Sequence, residues 1–292
     1  MIRITSLVLI VYFFAVSCST PGQMGKTKLS ALQLYQQGAY QQALTIWESE
    51  ITASEKKSQE SEFYTPAAFA ALKLGQNDKA LIWLKKASYS PYVSDSTFLA
   101  MADIYQQKDN LSLEMLALQD YLNKFPQGTK KNQVNERLFD IYVESANWQL
   151  AEEKWNTLTA YQRSEESNLL SYFDVSQALM ADIRCDSIAI ELLQINSDQV
   201  IALNWLGKKY YRLAEDVYQK EMTAYDQNKT RKQYAHLLEQ LDLITADFKK
   251  SLSYLKTSYE VVPDAKIALY LSYIYNRLDD KQKASYYGHL AE

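Results

Sequence analysis

The chain has 292 residues, 47% hydrophobic and 23% charged, enough apolar content to bury a core and too much for intrinsic disorder. Its 7 Gly, 5 Pro, 2 His and 2 Cys stand against 23 Tyr and 5 Trp, so glycine is too scarce for a turn-rich β fold and histidine for a three-histidine metal site. No GxGxxG, GxxxxGK[ST] or GxSxG motif occurs, and a formal charge of −4 with pI near 5.4 speaks against a basic nucleic-acid binder.

In chain order, Arg3 precedes an uninterrupted apolar run from Leu7 to Val16, followed by small residues around Cys18. That is the layout of an export leader, with an apolar run about half as long as a membrane-spanning helix needs. Ala15-Val16-Ser17-Cys18 resembles a bacterial lipobox, departing from it in that Ala15 stands where Leu is commonest. The resemblance implies cleavage before Cys18, with acyl chains added to its thiol and its new amine. Residues 1–17 are then a lipoprotein signal peptide and 18–27 a lipidated Cys18 with its tether. An ordinary signal peptide or an uncleaved anchor is the alternative. Three acyl chains, at ~0.8 kcal/mol per buried CH₂, give permanent attachment. The nine residues Ser19 to Thr27 reach roughly 15–18 Å, which keeps the body close to the membrane.

Three later segments align: GAYQQALTIWESEI from Gly38, GQNDKALIWLKKAS from Gly75 and ANWQLAEEKWNTLT from Ala146. Each places a small residue (Ala43, Ala80, Ala151) four positions before a large one (Trp47, Leu84, Trp155). The small-residue register continues as Ala43, Ala80, Glu114, Ala151, Cys185, Ser251 and Ala284, with spacings of 37, 34, 37, 34, 66 and 33. A period near 34 with this pattern resembles the tetratricopeptide repeat, a helix-turn-helix unit. Leu206-Gly207 with Tyr210, Ala102 with Tyr105, Leu138 with Tyr142 and Leu271 with Tyr275 match its first helix, helix A; Pro91, Pro126 and Pro263 follow its second, helix B. The run NWLGKKYY to FKKSLSYL looks like tetratricopeptide proteins of Bacteroidota. The resemblance implies an all-α, tetratricopeptide-like helical-hairpin solenoid over 28–292, about seven units long. Small residues let helices A and B approach, and aromatics such as Trp47, Trp148 and Trp155 fill the wedges between units. Glu114 in a small position is expected to loosen its contact or shift its register, and Cys185 to be an inert buried thiol.

The sixth unit is stretched. Gly207 and Ser251 lie 44 residues apart where the repeat has 12. Leu213 to Gln227 and Tyr234 to Leu255 keep helical apolar spacing, with a polar turn at Asn228–Lys232 between them. An elongated hairpin is expected, each arm longer by about 16 residues, or roughly 24 Å.

In the tetratricopeptide family, helix A lines a concave groove. Carried over, the groove-facing positions are Asp103, Glu136, Asp140, Glu144 and Asp174 in the middle units, and Lys208, Tyr211, Arg212, Leu269, Tyr273 and Arg277 in the last. An acidic middle and a basic, aromatic end suit an extended peptide of opposite charge order, against the alternative of a merely solvated helix face. No catalytic constellation, metal site or cofactor is expected. The reading is a membrane-anchored protein–protein interaction scaffold or adaptor of the bacterial cell envelope, on the outer membrane and facing the periplasm, with a protein or peptide partner and no nucleic acid. A carbohydrate-binding outer-membrane lipoprotein is the alternative.

Overall fold

The computed structural model describes residues 30–292; the expected signal peptide, Cys18 and the tether lie outside the described residues. Those residues form fifteen helices and no strand. Two compact units meet in sequence at Thr97–Phe98. The first contains α1 (Ala31–Gln36), α2 (Tyr40–Lys56), α3 (Tyr64–Lys73) and α4 (Asn77–Tyr89). The boundary falls within α5 (Asp95–Gln107). The second continues with α6 (Leu111–Lys124), α7 (Lys131–Glu144), α8 (Trp148–Trp155), α9 (Ala160–Arg163), α10 (Glu166–Ala178), α11 (Asp182–Ile195), α12 (Val200–Gln227), α13 (Arg231–Val261), α14 (Ala265–Arg277) and α15 (Lys281–Leu290). Sequential helices pack antiparallel as hairpins, and within each unit a hairpin touches its sequence neighbours. This is an all-α fold of tetratricopeptide-type hairpins, seven of them among the described residues.

One local device makes six of the seven turns. Helix A ends at a residue in the left-handed conformation: Gly38, Gly75, Asp109, Ala146, Met180 or Asp279. The next amide then donates back to a carbonyl five residues earlier, as in Ala39 N to Leu34 O, Asn110 N to Tyr105 O and Ala181 N to Ser176 O, each 2.9 Å. That bond closes a Schellman end and turns the chain straight into helix B. Prolines act at the opposite ends: α4, α6 and α13 each stop two residues before Pro91, Pro126 or Pro263.

The small-residue register is buried throughout, from Ala43 to Ala284. Trp155 stacks on Tyr172 at 4.0 Å and leans on Phe139 at 5.5 Å, while Trp47 packs against Tyr35 at 5.8 Å. Cys185 is fully buried, and burial, followed by Asp182 and Asp186, pushes its thiol up to about 11. Glu114 departs from expectation. It stays buried in the α6 interface, because Arg137 on α7 reaches back and holds both carboxylate oxygens, Nε at 2.7 Å and Nη2 at 3.1 Å. Ala117, Leu118 and Tyr121 remain buried beside it, so α6 keeps its seat.

The sixth hairpin is elongated as expected: α12 has 28 residues and α13 has 31, against 14 in α11 and 13 in α14. At 1.5 Å per residue these arms are about 42 and 46 Å long. The turn is tighter than the sequence suggested. Asn228 to Thr230 make it, Thr230 caps α13 by accepting from Gln233 N at 3.2 Å, and Arg231 and Lys232 already lie in the helix. The arms close against each other at Gly207, where an added Cβ would lie 2.5 Å from Leu255 Cγ and where Ser251 Oγ donates to Gly207 O at 2.7 Å.

Candidate functional site

The predicted groove residues lie in the second unit, on α5, α7, α10, α12 and α14. The structure divides them by what they touch. Glu136 accepts from Asn168 Nδ2 at 2.7 Å and from Gln162 Nε2 at 2.9 Å; both amides are buried, and Gln162 sits on the short α9. That carboxylate braces α7 against α9 and α10. Glu144 accepts from Arg137 Nη1 at 2.7 Å, and Arg137 also holds Glu114. Arg277 on α14 is held by Glu215 on α12 through both Nε, at 2.9 Å, and Nη2, and its guanidinium lies 4.2 Å from the Tyr218 ring centroid. Three of the ten charged or aromatic candidates are thus committed to internal pairs.

Five charged candidates make no hydrogen bond or ion pair among the described residues: Asp103, Asp140, Asp174, Lys208 and Arg212. The three acids share an electrostatic character. Burial raises the Asp103 carboxyl above its ordinary value, with Glu114 adding to it. Burial also raises Asp174. Asp140 is pushed up to about 6, by burial first and then by Glu136 and Glu144, with Arg137 working the other way. Asp103 and Asp174 therefore gain from a positive charge that the protein itself does not supply, and at Asp140 burial outweighs the one that Arg137 does supply.

Lys208 and Arg212 are one helical turn apart on α12, resting over aromatic rings instead of carboxylates. Lys208 Nζ is 5.8 Å from the Tyr270 centroid and the Arg212 guanidinium 6.0 Å from that of Trp205. With Asn204, Gln177, Phe173 and Ile201 they line a cleft of about 400 Å³ between α10, α12 and α14. Tyr211 packs edge-on to Tyr270 at 5.1 Å and against Phe248 at 6.0 Å, so most of its ring is structural. Tyr273 is stacked on it at 6.5 Å and is 46% exposed; Leu269 is also exposed. Sequence reasoning missed Trp205, Asn204 and Tyr270. Asn204, Lys208 and Arg212 recur every four residues, a spacing that puts all three on one helix face.

Among the described residues no group of three or more His, Cys, Asp or Glu is gathered as metal ligands, and no helix is long and apolar enough to cross a membrane. The hairpins and their buried small-residue register define an all-α helical-hairpin fold of the tetratricopeptide kind. No protein-family model matches the chain, and no curated protein matches it. Solved structures similar to it include a putative protein binding protein from Bacteroides ovatus, 18% identical over 75% of this chain and 97% of that one, with a TM-score of 0.49. Another is the C-terminal part of a TPR repeat-containing protein from Cytophaga hutchinsonii, 14% identical over 89% of this chain and 92% of that one, TM-score 0.46. A tetratricopeptide repeat protein from Parabacteroides merdae is 12% identical over 89% of each chain, TM-score 0.43. At these values the fold is established by the hairpins themselves, not by the neighbours.

Proposed function

We propose that the protein is a protein–protein interaction scaffold of the bacterial cell envelope, tethered through a lipidated Cys18 to the outer membrane on its periplasmic side. It binds an extended protein segment along the helix-A face of the second unit and catalyses no reaction. The observation that supports this is the segregation of the unpaired charges. Asp103, Asp140 and Asp174 stand on α5, α7 and α10, while Lys208 and Arg212 stand on α12. Leaving five charges unpaired on neighbouring helices of one unit stabilises nothing internally, whereas it orients a partner of opposite charge order. Fractionation tests the anchor: Cys18→Ala moves the protein from the membrane to the soluble fraction. Photo-crosslinking from the helix-A face in native membranes tests the scaffold. The expected result is one reproducible protein partner, lost when Asp103, Asp140 and Asp174 are changed together to Asn. Recovery of no protein partner overturns the reading.

The carbohydrate-binding reading draws on one feature, the stacked Tyr211–Tyr273 pair beside Asn276 and Arg277. Glycan binding that disappears in Tyr273→Ala, with no protein crosslinked, favours it instead.

A further inference from the structure

The cleft between α10, α12 and α14 differs from the rest of the helix-A face in the chemistry of its lining. Its polar groups are Lys208, Arg212, Asn204 and Gln177, and no carboxylate lines it. Asp186, which reaches Trp205 of the lining, is already occupied: it accepts from Trp205 Nε1 at 2.9 Å and pairs with Lys209 at 2.5 Å. Asn204 is oriented by Ser258, whose hydroxyl donates to Asn204 Oδ1 at 2.7 Å, leaving the amide nitrogen to donate elsewhere. Lys208 and Arg212 are held over Tyr270 and Trp205, contacts that steady the cations without neutralising them. The result is a set of donors and full positive charges with aromatic walls.

We propose that this cleft is the specificity pocket of the peptide-binding face and takes an acidic side chain, Glu or Asp, flanked by an apolar or aromatic residue. The carboxylate receives charge-assisted hydrogen bonds from Lys208 and Arg212, and the flanking side chain lies against Trp205 and Tyr270. The proposal rests on the interaction-scaffold reading above and adds the chemistry of one position in the bound segment. Charge complementarity sets the occupant. An acidic side chain is drawn to the two unpaired cations and repelled by the carboxyls of Asp103 on α5 and Asp140 on α7, which suit the partner's basic end.

The test is selection of a random dodecapeptide phage library on the full mature chain, with anisotropy measurements on labelled versions of the selected peptides. The expected result is enrichment of Glu or Asp next to an aromatic or apolar residue. Replacing that acid by Gln, or changing Lys208→Gln and Arg212→Gln together, then weakens binding by about tenfold to a hundredfold, and added salt weakens it further. Lys229→Glu with Lys232→Glu, at the far turn of the elongated hairpin, leaves affinity unchanged, and circular dichroism confirms that each variant is folded. Selected peptides without acidic enrichment, or unaffected by the Lys208 and Arg212 changes, overturn the specificity pocket while leaving the peptide-binding face intact. Failure to select any peptide overturns both, as does tight binding of a dT12 oligonucleotide in place of every peptide.

Discussion

Replacing Arg137 by Met isolates the Glu114 carboxylate in the interface between α6 and α7. Glu114 is 3% exposed, and both its oxygens are held by the same guanidinium, at 2.7 and 3.1 Å. Met keeps most of the apolar stem, so the loss is of charge and hydrogen bonds. Stranding a buried charge this way costs about 3–5 kcal/mol. The low end applies here, because Arg137 is itself 26% exposed and water can follow into the gap. Glu114→Ala is a different perturbation. It restores the small residue found at this register position in the other units, and Arg137 keeps its bond to the half-exposed Glu144, so the cost is about 0–1 kcal/mol. The double variant, with neither charge, should then lie within about 1 kcal/mol of the native protein, giving a coupling of roughly 2 kcal/mol or more. Urea unfolding at pH 7 measures the three variants, and amide hydrogen exchange in α6 and α7 shows whether the loss is local. Arg137→Met costing under about 1 kcal/mol, or strictly additive variants, would refute the claim that the guanidinium is what allows a glutamate in a small-residue position.

Three further outcomes follow from local geometry. Met180 sits at φ +54° and is 89% exposed, so Met180→Gly relieves a left-handed strain of ~1–2 kcal/mol, partly offset by the freer unfolded chain; a net gain of about 1 kcal/mol in thermal unfolding is expected, and none for Ile183→Gly inside α11. Gly207→Ala drives a methyl to 2.5 Å from Leu255 and should destabilise the second unit by about 1–3 kcal/mol, which Leu255→Ala in the same chain partly relieves. Asp140 binds its proton more tightly folded than unfolded, so its contribution is fully present below the unfolded value near 4 and is lost as pH rises through about 6. Asp140→Asn should therefore flatten the stability profile between pH 4 and 7 by about 1 kcal/mol, a figure reduced for the solvent that still reaches this half-buried group; an unchanged profile by denaturant titration counts against it.

The hairpin architecture was legible because it depends on residue size at a fixed period. Ala43, Ala80 and Ala151 reveal the close approach of two helices whatever surrounds them, and Cys185 and Ser251 fit by volume alone. The turns were legible only in part. Gly38 and Gly75 advertise a left-handed residue and Asp109 and Asp279 hint at one more weakly, while Ala146 and Met180 adopt the same conformation with no signal of their own. Their backbone is held by the Schellman hydrogen bond and by the two helices that it joins, a tertiary constraint that single-residue preferences do not carry. Glu114 shows the same limit from the other side. Its partner Arg137 is 23 positions away, and nothing in the local sequence says that a guanidinium arrives to compensate it.

The charges on the helix-A face were legible as positions but not as free groups, and that difference bears directly on function. A charged side chain on a repeat helix can brace the next helix or meet a partner, and its own position does not decide between the two. Glu136, Glu144 and Arg277 brace, because Asn168, Arg137 and Glu215 come within reach from the same or a neighbouring helix. Asp103, Asp140 and Asp174 find no such neighbour, and Lys208 and Arg212 find aromatic rings where a carboxylate could have stood. A bracing pair resists substitution through stability, and an unpaired charge through affinity. Changing Glu136 to Gln should therefore lower the unfolding midpoint while changing partner affinity little. Changing Asp174 to Asn should do the reverse: removing a carboxyl that burial already disfavours leaves stability unchanged or slightly higher, while the partner's basic end loses a contact. Paired measurements of unfolding midpoint and partner affinity on these two variants separate the roles, and parallel losses in both quantities for both variants would show that the face is not divided in this way.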